Sequence, residues 1–563
     1  MICTAILLGF AGFSCSEFLE PKSQSEFIPV HVEQLNEMIL SGLLEPYDNS
    51  YVSFTGGFLD ILTDDVETTE TIEEVFPGDA WYQNPNVVAT FAMYTWQPNY
   101  STYMQTNGYS NHNRIYLTVY RKLVYVNSAL DYVDRVEGSD HLKKYVTAQA
   151  LALRAFYNLH LVNMYGVPYN VQPDGPGIPL RTTGGKENRP MVRNTVKEVY
   201  NLVLSDLHQA IDLFSSLDSW YQFRQYRANL PMAMLLLSRA YLYMENWEQA
   251  AFYAEKLINE WSQFQIKDLN DLINSGYTNV HREAETTDNQ NVRRTQKFYE
   301  SFVGYDNSDV IWVYGSAVDV ADITAYDMTS SNALSVSRLQ NNSVYVCLNR
   351  ASNSLINSFD PNDLRLRTYL VRSLFHEPDY SQNTFTASAV RYRAYGKLRI
   401  FDDGTGIANI QYNRFLPVRD SRTFGQTLRI TEAWLILAEA QAMLGKANDA
   451  VQTLNAIWQK RFASGNIPAS YYLGDAVELV RKERRRELCF ESMRWFDLRR
   501  WGRPELRHTW HDVTYSNEHH VFVLEKDDPG YTLPLSHSLL EANPALLQVP
   551  LAAGGKERKP VSN

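Results

Sequence analysis

Asp64, Asp65 and Glu67 form the only dense group of acidic side chains near the aromatic-rich stretch from Asn49 to Ser110. Two carboxylates that flank a glycosidic bond could act as the acid and the nucleophile of a glycosidase. Neighbouring positions in sequence do not fix the separation that this chemistry requires. A solvated loop, a cation site or hydrogen bonding to the hydroxyls of a ligand is therefore favoured over catalysis.

No other pattern indicates an activated nucleophile, a phosphate-binding loop or a metal centre. The Gly-x-Ser-x-Gly, His-Glu-x-x-His, Walker and Cys-x-x-Cys motifs are absent from the sequence. His519 and His520 adjoin each other without a carboxylate at ligand spacing, so they do not predict a zinc site. We expect a protein that is not an enzyme and requires no metal or cofactor.

Aromatic residues indicate a different chemistry, because 36 Tyr, 25 Phe and 11 Trp provide more ring surface than a core requires. Flat rings pack against the C–H face of a pyranose, while amides and carboxylates beside them bind its hydroxyls. Most candidates lie in a stretch that Gly and Pro interrupt, from Asn49 to Ser110. The candidate ligand-binding residues are Asp65, Trp81, Tyr82, Trp96, Asn99, Tyr100 and Tyr326. The alternative for each ring is that it fixes a long loop to the scaffold.

The stretch from Glu478 to Gly502 is the element that organises the rest of the chain. It contains no Gly or Pro before Gly502, and it is predicted as one helix with apolar residues on all sides. Charged residues occupy the same turns, and charges at that depth persist only when they are paired. We predict a buried helix with an internal ion-pair network, in which Arg494 pairs with a carboxylate such as Glu491. Three aromatic residues among the charges argue against a solvated surface helix.

Helical periodicity also predicts helices elsewhere in the chain. They are expected at Val30 to Leu44, Tyr116 to Val136 and Leu142 to Tyr165. The Thr-x-x-Glu pattern at Thr195 predicts a capping box at the start of a helix that ends at Phe214.

Two later stretches match each other with tetratricopeptide spacing. The matched residues are Leu237, Ser238, Tyr241, Trp247, Ala250, Ala254 and Leu257 in the first, and Leu437, Ala438, Gln441, Ala447, Ala450, Leu454 and Ile457 in the second. Consecutive repeats of this kind lie about 34 residues apart, so the much longer separation indicates an insert, roughly residues 261–428.

The insert is rich in Asn, Ser, Tyr and Asp and has only short strand-like runs. One run, Val310 to Tyr314, alternates in a way that predicts Trp312 to be a core residue. The sequence thus predicts a mainly α protein, a tetratricopeptide-like helical-repeat scaffold with an irregular, loop-rich lobe that contains short β elements.

The N-terminus and the overall charge bear on the compartment and on partners. Ile2 to Phe13 is apolar but too short to span a bilayer, which is typical of a signal region that ends before Cys15. The formal net charge is -12, and no basic cluster lies outside the Glu478 to Gly502 stretch. We therefore exclude a nucleic-acid partner.

Several motifs resemble one family. The run ELVRKERRRELCFESMRWFDLRRWG is similar to the signature of the SusD/RagB family of outer-membrane nutrient-uptake lipoproteins, with Ser492 where the family usually has Gly. The segments ALALRAFYNLHLVNMYG, LRITEAWLILAEA and LPLSHSLLEANP resemble other motifs of the family, and Cys15 followed by Ser16 resembles its lipoprotein start.

The resemblance implies a signal peptide at 1–14 and a SusD-like domain at 15–563. This domain would have helical repeats at about 115–260 and 429–502, an inserted lobe at about 261–428 and an aromatic loop at about 49–110. It further implies a non-catalytic surface lipoprotein, anchored in the outer membrane through Cys15, that captures a glycan and delivers it to a SusC-like TonB-dependent transporter. The alternatives are a RagB-like oligopeptide-binding lipoprotein and a tetratricopeptide scaffold that binds only proteins.

Overall fold

A computed structural model describes residues 28–43, 57–68, 85–108, 115–186, 190–274, 307–314, 349–369, 371–379, 384–393, 426–511 and 519–561. The helices are α1 (Val32–Leu43), α2 (Pro85–Tyr94), α3 (Tyr100–Thr106), α4 (Ile115–Tyr132), α5 (Asp140–Tyr165), α6 (Val196–Ser215), α7 (Ser219–Gln222), α8 (Leu230–Tyr243), α9 (Trp247–Glu260), α10 (Leu269–Asn274), α11 (Asn353–Ile356), α12 (Arg365–Thr368), α13 (Ile430–Met443), α14 (Ala447–Trp458), α15 (Ala476–Glu487), α16 (Arg494–Arg500) and α17 (His537–Ala542). Short 3-10 helices span Gly57–Leu62, Ala463–Gly465, Ala469–Tyr472, Pro529–Tyr531 and Ala552–Gly555.

The strands form four antiparallel pairs in the described part of the chain. They are β1 (Val66–Thr68) with β3 (Asn349–Ala351), β2 (Val310–Tyr314) with β6 (Gln426–Arg429), β4 (Val371–Asp379) with β5 (Thr384–Arg393), and β7 (Leu506–His511) with β8 (His519–Leu524). Three of these pairs are short, β4 and β5 are nine and ten residues long, and the helices carry most of the fold, as predicted.

Antiparallel helices stack side by side and form the scaffold. α4 packs on α5, α5 on α6 and α6 on α8, and the series continues through α9, α13, α14 and α15. The predicted capping box is present at the start of α6, where Thr195 and Glu198 exchange hydrogen bonds with each other's backbone N–H groups.

The two matched stretches form the hairpins α8–α9 and α13–α14, which confirms the repeat prediction. Ser238, Ala250, Ala254, Ala438 and Ala450 are fully buried, and the Ser238 hydroxyl donates to the Ala250 carbonyl at 2.8 Å, which shows how closely the paired helices approach. α9 packs directly on α13, so the two hairpins are neighbours in space although the insert separates them in sequence.

One described strand of the insert, β2, packs against the scaffold. β2 pairs with β6 immediately before α13, and Trp312 is fully buried with its ring edge-on to Phe156. The assignment of Trp312 to the core is confirmed.

The prediction of one continuous helix from Glu478 to Gly502 is wrong. α15 ends at Glu487 and α16 begins at Arg494, and between them Phe490 and Ser492 both have φ of 59°. Left-handed backbone is unfavourable for residues with a Cβ, which explains why the family usually has Gly at the Ser492 position. The turn is fixed by a distant contact, because the Ser492 N–H donates to the Asp60 carboxylate at 3.3 Å.

The predicted ion-pair network is present and buried, but one partner differs. Arg494 binds Asp64 at 2.8 Å, whereas Glu491 is bound by Arg429 at 2.7 Å. On the last turns of α16, Arg500 bridges Glu439 of α13 and Asp497. The network thus joins the N-terminal segment, the second repeat and the two signature helices.

Candidate functional site

A pocket of ≈ 820 Å³, including its mouth, lies between the end of α2, the start of α3, helices α4 and α5 and the C-terminal part of the chain. Among the described residues, its lining consists of apolar and neutral polar residues and contains no charged side chain. The lining residues are Leu62, Ala92, Met93, Trp96, Gln97, Pro98, Asn99, Tyr100, Ser101, Tyr116, Tyr165, Gly530, Thr532, Leu533, Pro534, Ser536, Leu539, Leu551 and Ala552.

Three of the predicted ligand-binding residues, Trp96, Asn99 and Tyr100, meet in this pocket. They lie in the predicted aromatic loop, whose described residues differ from the prediction because they include the short helices α2 and α3. Asn99 is the N-cap of α3, and its side-chain oxygen accepts from Thr102 N–H at 3.1 Å. Because Gly and Pro are frequent in this stretch, the sequence predicted a loop and did not indicate these helices of ten and seven residues.

Trp96 forms a fixed wall of the pocket. Its side chain is 4% exposed, its Nε1–H donates to the Leu62 carbonyl at 3.0 Å, and its ring stacks on His508 with centroids 4.0 Å apart. The Tyr94 ring also stacks on the His508 imidazole, with ring centroids 4.1 Å apart. Trp96 therefore fixes its segment to the scaffold, which is the alternative considered from the sequence, and it also lines the pocket.

Asp65 does not line the pocket. Its carboxylate is fully buried and accepts from Arg485 Nε at 2.6 Å. Asp64 is bound by two nitrogens of Arg494, at 2.8 and 2.9 Å. Burial raises the pKa of Asp64, but the hydrogen bond and charge of Arg494, with the charge of Arg485, outweigh it and lower the pKa to about 2. These carboxylates clamp the N-terminal segment to α15 and α16, and a group with so low a pKa is unsuited to donate a proton to a leaving group.

Sequence reasoning missed the tyrosines that the scaffold helices contribute. Tyr116 begins α4 and Tyr165 ends α5, and their rings meet edge to face with centroids 5.3 Å apart. Burial raises the pKa of both phenols, so their hydroxyls stay protonated and can donate hydrogen bonds. The only sequence signal was their position at the helix ends that adjoin long Pro- and Gly-rich segments.

The C-terminal strap, residues 549–561, closes one side of the pocket with Leu551 and Ala552. Arg558 fastens it: its guanidinium donates to the Trp96 carbonyl at 3.1 Å, to the Val523 carbonyl and to the Asp528 carboxylate at 2.9 Å. The Arg558 backbone also exchanges two hydrogen bonds with the Gln97 side chain, at 3.0 and 3.2 Å. The strap is therefore bound to Trp96 and Gln97, two residues that themselves line the pocket.

Arg558→Ala is expected to loosen the strap, because it removes three contacts at once and leaves Asp528 without its cation. Backbone amides that the strap protects, at Arg558 and Val561, should exchange faster with solvent, as measured by hydrogen–deuterium exchange. Lys559→Ala is the matched control, since Lys559 is exposed and, within the described ranges, forms an ion pair only with exposed Glu557. Equal exchange in the two variants would show that Arg558 does not hold the strap.

Four predicted residues, Cys15, Trp81, Tyr82 and Tyr326, lie outside the described residues. Within the described ranges, no group of three or more His, Cys, Asp or Glu side chains is arranged to hold a metal ion. In the same part of the chain, none of the helices combines the length and apolar character needed to cross a bilayer.

Comparisons with known proteins agree with the motifs. Residues 56–242 match a SusD-like family described as starch-binding and associating with the outer membrane, and residues 421–551 match the SusD family. The two matches together cover more than half of the chain. SusD-like protein P2 of Formosa agariphila is 23% identical over 394 residues, which span 66% of this chain and 68% of the relative.

Solved structures show the same fold. A putative sugar binding protein from Bacteroides vulgatus superposes with a TM-score of 0.61 at 20% identity, over 93% of this chain and 99% of that one. A SusD-like carbohydrate binding protein from the same species gives 0.58 at 19% identity, over 92% and 97%. A SusD superfamily protein from Bacteroides thetaiotaomicron gives 0.59 at 19% identity, over 92% and 100%. With its signature helices, its helical repeats and both sequence matches in agreement, the chain belongs to the SusD family.

Proposed function

We propose that this protein is a non-catalytic surface lipoprotein that captures a glycan in the pocket beside α3 and passes it to a SusC-like TonB-dependent transporter. The observation that carries the proposal is the pocket lining, whose described residues combine aromatic rings with amides and hydroxyls and include no charged side chain.

The lining supplies both contacts that a sugar requires. Tyr100, Tyr116 and Tyr165 offer ring surface for the C–H faces of a pyranose. Asn99 and Ser101 from α3 and its N-cap, and Thr532 and Ser536 from the C-terminal part of the chain, offer hydrogen-bonding groups. Trp96 and the C-terminal strap hold these groups in place before ligand arrives, which reduces the entropy lost on binding.

The neutral lining favours a glycan over the RagB-like alternative. An oligopeptide carries a charged amino group and a carboxylate at its ends, and burying either without a counter-charge is costly. Isothermal titration with neutral oligosaccharides and with oligopeptides of similar size separates the two. Peptide binding without glycan binding would transfer the function to the RagB-like class, and binding of neither would favour the protein scaffold.

Tyr100→Ala is expected to weaken glycan binding by about 1–3 kcal/mol, the range for an aromatic side chain that becomes buried on binding. Its ring is half-buried, so the free energy of unfolding should change by less than about 1 kcal/mol. Calorimetric titration and a thermal melt of the variant measure both quantities.

The matched control is Tyr103→Ala. Tyr103 lies one turn further along α3, is half-buried in the same way and packs on Phe91, but it does not line the pocket. If both variants bind the glycan equally, Tyr100 does not contact it.

The anchor is proposed at Cys15, which follows the apolar run and precedes Ser16. Cys15→Ala should release the protein from outer-membrane fractions, because stable attachment of such a chain takes more than one acyl group on that residue. The measurement is fractionation in a strain that lacks the transporter, so that a protein partner cannot retain the variant. A membrane-bound variant there would rule out lipidation of Cys15 as the anchor.

A further inference from the structure

A second aromatic surface lies in the segment that connects α6 and α8. Trp220 and Tyr226 are 58% and 48% exposed. The guanidinium of Arg224 lies over the Trp220 ring, 4.0 Å from its centroid, and the Tyr221 ring meets the indole edge to face at 4.7 Å. Two neighbours thus hold the indole, and more than half of its surface still faces solvent.

The segment is irregular but firmly anchored. Asn229 is fully buried; its amide donates to the Arg224 carbonyl at 3.0 Å and to the Ile311 carbonyl at 3.3 Å, and its oxygen caps α8. Gln225 forms two hydrogen bonds with β2. Its side-chain amide donates to the Val310 carbonyl, and its backbone carbonyl accepts from Val313 N–H. A rigid support of this kind is what a preorganised binding surface requires.

Arg224 carries a charge that the described part of the chain does not neutralise. Its neighbour Arg227 is bound by Glu37 at 2.9 Å, but Arg224 has no ion pair among the described residues and donates one hydrogen bond to the Phe223 carbonyl at 3.1 Å. A guanidinium with donors to spare binds carboxylate or sulfate groups in a fork-like geometry.

This surface is far from the pocket. Tyr221 packs on Tyr145 in the first turns of α5, with ring centroids 5.0 Å apart, whereas Tyr165 at the end of the same helix lines the pocket. At 1.5 Å per residue the helix separates these two tyrosines by about 30 Å. One ring system therefore cannot extend from the pocket to Trp220.

We propose that Trp220 and Arg224 form a second glycan-binding site, which takes an anionic sugar residue, a hexuronate or a sulfated sugar. Arg224 covers one face of the indole, so the sugar ring stacks on the other face, and its carboxylate or sulfate reaches the guanidinium past the edge of the ring. The uncharged pocket does not select such a residue, so the two sites differ in specificity. A protein partner fits less well, because stable interfaces are centred on an apolar core, whereas the two exposed rings here are flanked by exposed polar Ser216, Asp218 and Ser219.

The test is titration of the wild-type protein with a panel of oligosaccharides of equal length, comprising oligogalacturonate, sulfated galactan and their neutral counterparts. At least one anionic member should bind, and Trp220→Ala and Arg224→Gln should each weaken it by about tenfold or more. Arg224→Lys should restore part of the affinity, because it keeps the charge but not the fork. Phe252→Ala, which removes another exposed ring on α9, is the matched control and should bind normally.

Tyr100→Ala separates this site from the pocket, since it should leave binding at Trp220 unchanged. The inference is overturned if no anionic member binds, or if Trp220→Ala and Arg224→Gln both bind as the wild type does. It is also overturned if the two variants keep glycan binding and lose co-purification of the transporter, which would assign the surface to a protein. If the anionic oligosaccharides bind and the neutral ones do not, the result contradicts the proposed function of the pocket but not this second site.

Discussion

Glu487→Gln is expected to lower the free energy of unfolding by about 3–5 kcal/mol, the cost of leaving buried charge without a partner. Glu487 is fully buried at the end of α15 and is bound by three arginines, Arg365, Arg429 and Arg461, at 3.0, 3.2 and 2.8 Å. The hydroxyl of Tyr369 also donates to it, at 2.7 Å. Glutamine keeps the shape but removes the charge that these guanidiniums share.

Arg461 makes the effect large. Arg365 and Arg429 have other carboxylates, Asp363 and Asp309, but Arg461 forms an ion pair only with Glu487 among the described residues. The substitution therefore leaves one fully buried guanidinium without any counter-charge. A thermal or urea melt of the variant measures the loss.

The same carboxylate predicts how stability depends on pH. Burial raises the pKa of Glu487, but the charges and hydrogen bonds of the arginines outweigh it and hold the pKa well below its usual value. A carboxyl whose pKa is lower in the folded state stabilises the protein above its unfolded pKa of about 4.3, and this stabilisation is lost as the pH falls below that value. We expect the melting temperature of the wild type to decrease as the pH is lowered below about 4.3. The decrease should be less steep in Glu487→Gln.

Glu478→Gln is the control on the same helix. Glu478 is half exposed and pairs with Lys482 one turn away, so its loss should cost less than about 0.5 kcal/mol. If the two substitutions destabilise equally, the network around Glu487 is not the source of the effect.

Trp96→Ala is expected to cost about 3–5 kcal/mol of stability, the range for a buried Trp replaced by Ala. The change removes the stack on His508, leaves the Leu62 carbonyl without its donor and opens a cavity beside the pocket. Because the C-terminal strap is bound to the Trp96 carbonyl, we also expect glycan affinity to fall. The melt and the titration must therefore be read together.

Trp96→Phe distinguishes the contributions. It retains a ring against His508 but loses the Nε1–H donor, so the stability loss should be nearer 1 kcal/mol. Weak binding by Trp96→Phe despite a near-normal melt would indicate that the indole itself contacts the ligand. An unchanged melt of Trp96→Ala would contradict the role of this residue in fixing the segment.

Local sequence determined the helices and much of the network. Apolar periodicity located α4, α5 and α6, the Thr195 and Glu198 spacing gave a helix start, and the matched small residues gave the paired hairpins. Charges interleaved with Trp and Phe in the signature predicted buried ion pairs, because a charge among apolar residues on every side of a helix has no route to solvent.

The tertiary structure alone decided where those charges find partners and where the site lies. Arg494 binds Asp64, 430 residues away in sequence, and the turn at Phe490 and Ser492 is fixed by contacts such as that with Asp60. The pocket combines residues near positions 96–101, 116, 165 and 530–552, and the C-terminal strap completes it. Periodicity describes which face of one element is apolar, but it carries no information on which distant element covers that face, and both the pairing of buried charges and the shape of a pocket depend on that choice.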